Sequence, residues 1–338
     1  MLDTTVMGSY PQPAWLVDPD RLMAAGVPRV RVGDIWKVEP ELREEAIQAA
    51  TLLAIADQEA AGIDIITDGE IGRESYFNHF ANALSGVDPE TIGQGVNRLG
   101  GISKVPLVNG PVERTEPVEL DAARFLRANT TRRVKVTVPG PFTLSQLAQN
   151  EYYPDQRSLG LAYAAAVNAE LRDLAEAGID MLQVDEPYLQ ANADAAREFA
   201  VELITAAIDG VGAAVTVHTC YGYAAYVGDK SSGYPFLDEL SQVPADYIAI
   251  EAAQPDLAPE IIERLAPRGV VLGVIDLGTH EVETPETVAD RVRGALEHAP
   301  PELLSFSPDC GMKYLPRAIA QAKLRSLADG VAVVRAEL

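Results

Sequence analysis

Four residues of metal-ligating type stand near the ends of predicted strands. His218 and Cys220 are two residues apart at the end of one strand, so their side chains leave the same face. Glu251 ends the next strand, and Cys310 follows a strand two further on. If these strands are parallel, all four side chains meet at one edge of the sheet, where nitrogen, sulfur and oxygen donors suit Zn²⁺. The alternative is that both cysteines are inert core residues, and the spacing alone does not exclude it.

Eight short apolar runs alternate with amphipathic stretches, and these elements must position the four residues. Runs that are apolar throughout indicate strands buried on both faces, hence a parallel sheet covered by helices. The predicted strands are residues 6–10, 63–68, 134–138, 181–184, 214–218, 247–251, 270–275 and 303–307. The predicted helices are residues 40–61, 156–177, 193–208, 285–298 and 315–335.

Eight such units predict an α/β fold, a single (β/α)₈ barrel of the TIM type. The competing architecture is an open doubly wound sheet, but the Gly-rich turn that marks it does not follow the first strand. We expect one domain over residues 1–338, with an insertion at about 85–133 before the third strand that is Gly-rich and forms a hairpin. In such a barrel the catalytic groups lie at the carboxyl ends of the strands.

Composition limits the classes of function. The chain has 27 basic and 50 acidic side chains, a net charge of −23, which disfavours binding to nucleic acid or to anionic membrane surfaces. Two cysteines in 338 residues are too few for a disulfide framework and fit a reducing compartment. The N-terminus lacks the pattern of a secretory signal, and no apolar run is long enough to span a membrane. We therefore expect a cytoplasmic protein.

Several motifs together resemble one known family, the catalytic barrel of cobalamin-independent methionine synthases, over nearly the whole chain. The motifs are Gly8-Ser9-Tyr10-Pro11, Asp68-Gly69-Glu70, Gln183-Val184-Asp185-Glu186-Pro187, His218-x-Cys220, Glu251 and Pro308-Asp309-Cys310-Gly311-x-Lys313. Stretches such as Arg73-Glu74-Ser75-Tyr76 are similar to the epoxyalkane:coenzyme M transferase branch and to other short members of the family.

The resemblance implies a zinc enzyme that alkylates a thiol. It assigns zinc to His218, Cys220, Glu251 and Cys310. Of these, we expect Glu251, the hard oxygen ligand, to yield to the substrate. The resemblance assigns the substrate's amine to Glu70 and Asp185, and its carboxylate to Gly8 and Ser9. The substrates would be a small thiol, such as homocysteine, and an alkyl donor. The oligomeric state, including a homo-oligomer, is left open.

Two departures from the family concern the methyl donor. The barrel that precedes the catalytic one in folate-dependent synthases has no counterpart in this sequence, and the family's proton-donating histidine is replaced by Gly278. His280, two residues further on, is the remaining candidate for a proton donor. We therefore expect a donor other than folate, such as a corrinoid protein. The alternative is addition of coenzyme M to an epoxide.

Overall fold

The structure, a computed structural model, describes residues 1–26, 30–96, 101–228, 230 and 233–338. The sheet has eight parallel strands: β1 Asp3–Thr4, β2 Ile65–Ile66, β3 Arg133–Pro139, β4 Met181–Asp185, β5 Ala214–Thr219, β6 Tyr247–Ile250, β7 Gly269–Ile275 and β8 Leu304–Pro308. Their order is β1-β8-β7-β6-β5-β4-β3-β2, and a bridge between Thr5 and Ile65 brings the two edges together. The predicted α/β barrel is confirmed.

Helices connect the strands, and the longer ones pack against one another around the barrel. The α-helices are Pro19–Ala24, Arg43–Ala61, Tyr76–Ala81, Leu120–Ala128, Pro141–Gln146, Gln156–Glu176, Tyr188–Ala191, Ala193–Ala195, Val201–Ile208, Leu237–Leu240, Pro285–Leu296 and Arg317–Arg335. A π-helical turn, Ala196–Ala200, joins two of them, and 3₁₀ turns lie at Gly33–Ile35, Pro40–Leu42, Pro259–Leu265 and Pro301–Leu303. None of the described helices is long and apolar enough to cross a membrane.

The first strand was predicted in the wrong place. Residues 6–10 form a loop beyond β1 rather than a strand. Gly8 has φ +79°, which ends the extended conformation. The loop's backbone bonds to other loops instead of to strands: the Tyr10 N–H donates to the Gly69 carbonyl at 2.9 Å, and the Met312 N–H donates to the Ser9 carbonyl at 2.7 Å. Ser9 therefore lies on the rim of the barrel, beside the segments that follow β2 and β8.

The insertion before β3 forms the expected hairpin. Its antiparallel strands are Ser85–Val96 and Ile102–Glu113, and a short strand, Gln149–Asn150, pairs with the second of them. The segment that follows the hairpin is anchored to Glu170. The fully buried Glu170 carboxylate accepts hydrogen bonds from the backbone N–H groups of Val118 and Glu119 and from the Arg114 side chain. That the whole chain is one domain stays a prediction.

Candidate metal and thiol site

Three of the four predicted metal ligands meet at the carboxyl end of the barrel. His218 is the penultimate residue of β5, Cys220 directly follows that strand, and Cys310 follows β8. One ligand atom from each residue lies within 4.8 Å of the other two, and all three side chains are buried. Because a nitrogen and two sulfurs converge in a protected place, this cluster has the donor chemistry of a zinc site.

Asp185 sets the orientation of the His218 ring. Its Oδ1 lies 3.0 Å from His218 Nδ1 and also accepts a hydrogen bond from Gln183 Nε2 at 2.7 Å. His218 Nε2 is buried and, among the described residues, has no hydrogen-bond partner. Metal-binding histidines in proteins are commonly held in this way, with one ring nitrogen on a carboxylate and the other on the metal. The residues therefore fit a metal ion bound through Nε2.

The electrostatics of the cluster favour positive charge. Burial lowers the pKa of His218, but the charges of Asp185 and Cys220 outweigh burial and raise it to about 9. The hydrogen bond with Cys220 and burial together raise the pKa of the Cys310 thiol well above its usual value. A divalent cation at this place would take over the role of these protons, since ligating thiols must be deprotonated.

Glu251, the fourth predicted ligand, lies beside the cluster but is not one of its three residues. Its carboxylate is fully buried directly after β6. Oε1 accepts the Tyr221 N–H at 3.0 Å, and Oε2 accepts a hydrogen bond from Lys230 Nζ at 2.5 Å. Burial raises the pKa of Glu251 to about 8, an effect that Lys230 opposes and Cys220 reinforces. Its role as a ligand stays a prediction.

Asp309 holds the Glu251 segment against the Cys310 segment. Its carboxylate accepts the backbone N–H groups of Ala252, Ala253 and Gln254, at 3.1, 3.0 and 2.6 Å. These three residues follow Glu251, whereas Asp309 immediately precedes Cys310. The ends of β6 and β8 are thereby fixed relative to each other.

The predicted substrate-binding residues lie on the same rim. Glu70 is buried, and its backbone has φ +53°, a conformation that residues other than glycine seldom adopt. A Cβ atom on Gly8 would lie 2.6 Å from Glu70 Oε1, so a side chain at this position would displace the Glu70 carboxylate. Ser9 Oγ lies 3.1 Å from Tyr223 Oη. Burial raises the pKa of Tyr223 well above its usual value, and the nearby Glu70 and Cys310 raise it further.

Glu70 lies in an acidic environment that a positive group would relieve. Its pKa is raised to about 7, chiefly by burial and also by Asp185 and Asp68, while Arg73 and Lys313 lower it. The nearby guanidinium of Arg73 lies 3.9 Å from Glu70 but 3.1 Å from Glu119, so it pairs mainly with the latter. Glu70 and Asp185 are therefore suited to receive the ammonium group of a substrate.

His280 is not part of the buried cluster. It is exposed in the segment that follows β7, two residues beyond the equally exposed Gly278. Its predicted role as a proton donor stays a prediction.

Sequence analysis missed three residues of the site. Lys230 and Tyr223 lie in the segment after β5, which has no periodic pattern that could indicate which side chains are buried. Lys135 is an inward-facing residue of β3, and burial lowers its pKa to about 7, against the charges of Asp185 and Glu70. A lysine among the valines of this buried strand was the one available signal.

Comparison with known proteins identifies the family. The family model described as "Cobalamin-independent synthase, Catalytic domain" matches residues 2–332. The chain belongs to this family. It is 36% identical to a methionine synthase from Sulfolobus acidocaldarius and 34% identical to one from Saccharolobus solfataricus, with 100% of this chain and 94% and 96% of those proteins covered.

Solved structures agree with the sequence relatives. A B12-independent methionine synthase from a Shewanella species, in complex with selenomethionine, has a TM-score of 0.90 and 32% identity, with 100% of this chain and 98% of that chain covered. A putative synthase from Listeria monocytogenes, at 20% identity and a TM-score of 0.75, shares the fold. The synthase fold thus extends over the whole chain, including the rim described above.

The raised pKa of Glu70 predicts a pH-dependent loss of stability. An acid whose pKa rises on folding, here from 4.5 to about 7, stabilises the protein below pH 4.5, and that stabilisation is lost as the pH rises through 7. Relative to Glu70→Gln, the metal-free wild type should therefore lose up to about 3 kcal/mol of unfolding free energy between about pH 5 and 8. Urea unfolding at both pH values measures the difference. The unfolding free energy of the exposed control Glu176→Gln should change with pH as in the wild type. The same pH dependence in Glu70→Gln as in the wild type would contradict the raised pKa of Glu70.

Proposed function

We propose that this chain is a zinc-dependent methyltransferase that methylates the sulfur of homocysteine, or of a closely related amino-thiol, from a donor other than folate. One observation carries the proposal: His218 Nε2 is buried, oriented by Asp185, and close to the sulfurs of both cysteines. The relatives named methionine synthase, and the neighbour solved with selenomethionine, support homocysteine as the acceptor.

In this proposal His218, Cys220 and Cys310 hold the zinc, and Glu251 is the fourth ligand. The chemistry that bound zinc supplies is Lewis acidity, which lowers the pKa of a thiol so that the nucleophilic thiolate predominates at neutral pH. Burial of the cluster keeps water from competing with the substrate's sulfur.

The chain's own residues bind and orient the thiol. Glu70 and the second oxygen of Asp185 receive the ammonium group, because the first oxygen of Asp185 is taken by His218 and Gln183. The hydroxyl and backbone of Ser9, with the backbone of Gly8, receive the carboxylate. Ser9 and Cys310 both lie close to Tyr223, so a short amino acid held by Ser9 can direct its sulfur toward the cluster.

The residues near position 278 support a donor other than folate. A folate nitrogen must be protonated as it leaves, and Gly278 carries no acidic side chain; its N–H donates to Asp276 Oδ1 at 2.6 Å. A cobalamin donor, free or on a corrinoid protein, needs no such proton. His280 is the proposed proton source if the leaving group is basic.

Addition of coenzyme M to an epoxide has less support. The sulfonate would face Glu70 and Asp185, and two of the buried cations nearby are already engaged: Arg73 pairs with Glu119 and Glu70, and Lys313 donates to the Arg73 carbonyl. Charge repulsion at these carboxylates therefore disfavours a sulfonated thiol.

Turnover assays test the proposed substrates. Zinc-loaded protein should form methionine from homocysteine and methylcobalamin, but little from homocysteine and methyltetrahydrofolate, with the products read by mass spectrometry. Folate-dependent turnover at about 1 per second or faster would contradict the proposal that the methyl donor is not folate. Efficient alkylation of coenzyme M by epoxypropane, without methylation of homocysteine, would contradict the proposal that homocysteine is the acceptor.

A variant of Glu70 tests recognition of the amine. Loss of a charged hydrogen bond costs about 1.5–3 kcal/mol, so Glu70→Gln should lower kcat/KM for homocysteine by about 10- to 150-fold. The same variant should change kcat/KM much less for 4-mercaptobutyrate, which lacks the amine. Equal losses with both thiols would show that Glu70 does not bind the ammonium group.

A further inference from the structure

We propose that Lys230 competes with the bound metal for the carboxylate of Glu251, and so makes a place at the metal available to the sulfur of the substrate. The inference rests on the proposed function, since it concerns a metal held by His218, Cys220 and Cys310. It makes Lys230 a positioning residue, because it acts through Glu251 and not on the substrate.

The ion pair between Lys230 and Glu251 is enclosed by protein. The two side chains are 1% and 0% exposed, and Nζ lies 2.5 Å from Oε2. The other carboxylate oxygen accepts the Tyr221 N–H, and the Glu251 N–H donates to Tyr234 Oη at 2.9 Å. Three contacts thus hold Glu251 in a position where it is not part of the cluster of His218, Cys220 and Cys310.

Lys230 depends on Glu251 for compensation of its charge. A buried ammonium is costly unless a negative group pairs with it. The carboxylate of Asp309 also acts on Lys230, but its oxygens accept the three backbone N–H groups that follow Glu251. Glu251 is therefore the carboxylate that can move between Lys230 and a neighbouring cation.

One carboxylate between two cations acts as an exchangeable ligand. If Glu251 were a ligand of the metal, Lys230 would lose part of its compensation, so the ammonium would favour return of the carboxylate. The sulfur of the substrate would then take the place that Glu251 leaves, and the thiol proton would pass to solvent. Without Lys230, Glu251 would stay on the metal and compete more strongly with the incoming sulfur.

Cobalt-substituted protein, full-length and metal-loaded, gives a readout that does not depend on turnover. Homocysteine binding is followed by the visible absorption of Co²⁺ in the wild type, Lys230→Met, Glu251→Gln and the double variant. Lys230→Met should raise the apparent Kd for homocysteine about tenfold or more, the scale of effects from residues that position metal ligands. In the Glu251→Gln background the same change should alter the Kd less than about twofold, because the competing carboxylate is gone.

Two further variants control for the loss of a buried lysine. Lys323→Met removes a fully buried lysine that bonds Glu283 and two carbonyls away from the cluster, and it should leave the Kd within about twofold. Lys230→Gln keeps a hydrogen-bond donor without the charge, so it should shift the Kd in the same direction even if Lys230→Met does not fold. Far-UV circular dichroism verifies folding.

An unchanged Kd for homocysteine in both Lys230 variants would overturn this inference. An equal rise in Kd on removal of Lys230, with and without the Glu251 carboxylate, would also overturn it. In either case, a wild type that binds Co²⁺ and responds to homocysteine leaves the proposed function standing. A wild type that binds no metal, or whose spectrum does not respond to homocysteine, would overturn the proposed function and this inference together.

Discussion

The hydrogen bond between Asp185 and His218 is the contact on which the rest of the site depends. The two residues are direct partners in the register of β4 and β5, so the barrel itself brings them together. The Glu186 N–H also donates to the His218 carbonyl at 2.8 Å, which extends that register past the end of β4. Because this bond takes Nδ1, it leaves Nε2 to face the cysteines. A slip of one residue between these strands would turn Asp185 away and abolish the site.

The same carboxylate joins the metal side of the rim to the substrate side. Asp185 orients His218 and also raises the pKa of Glu70, so one negative group serves both the cluster and the place proposed for the substrate's amine. Glu70, Asp185 and Glu251 share this rim with Lys230, Arg73 and Lys313, each of which already bonds protein groups, and with the buried Lys135. A divalent metal would supply the charge that deprotonated Cys220 and Cys310 require, and an ammonium group would pair with Glu70 and Asp185.

Sequence predicted the parts of the site that follow from strand periodicity. His218 and Cys220 share a face because they stand two apart, and β3 to β8 were recognised as buried apolar runs. The first strand was misplaced because residues 6–10 are buried by loops, and burial in a loop leaves the same apolar pattern as a strand. Lys230 was missed for a different reason: its burial depends on pairing with Glu251, a long-range contact in a segment without periodicity.

Metal content of the purified protein tests the central claim most directly. If His218, Cys220 and Cys310 form a zinc site, wild-type protein should carry about one zinc per chain by mass spectrometry, and Cys310→Ala should carry almost none. The far-UV circular dichroism of the variant should match the wild type, because a core of this size does not need a metal to fold. Full zinc occupancy in folded Cys310→Ala would contradict the account.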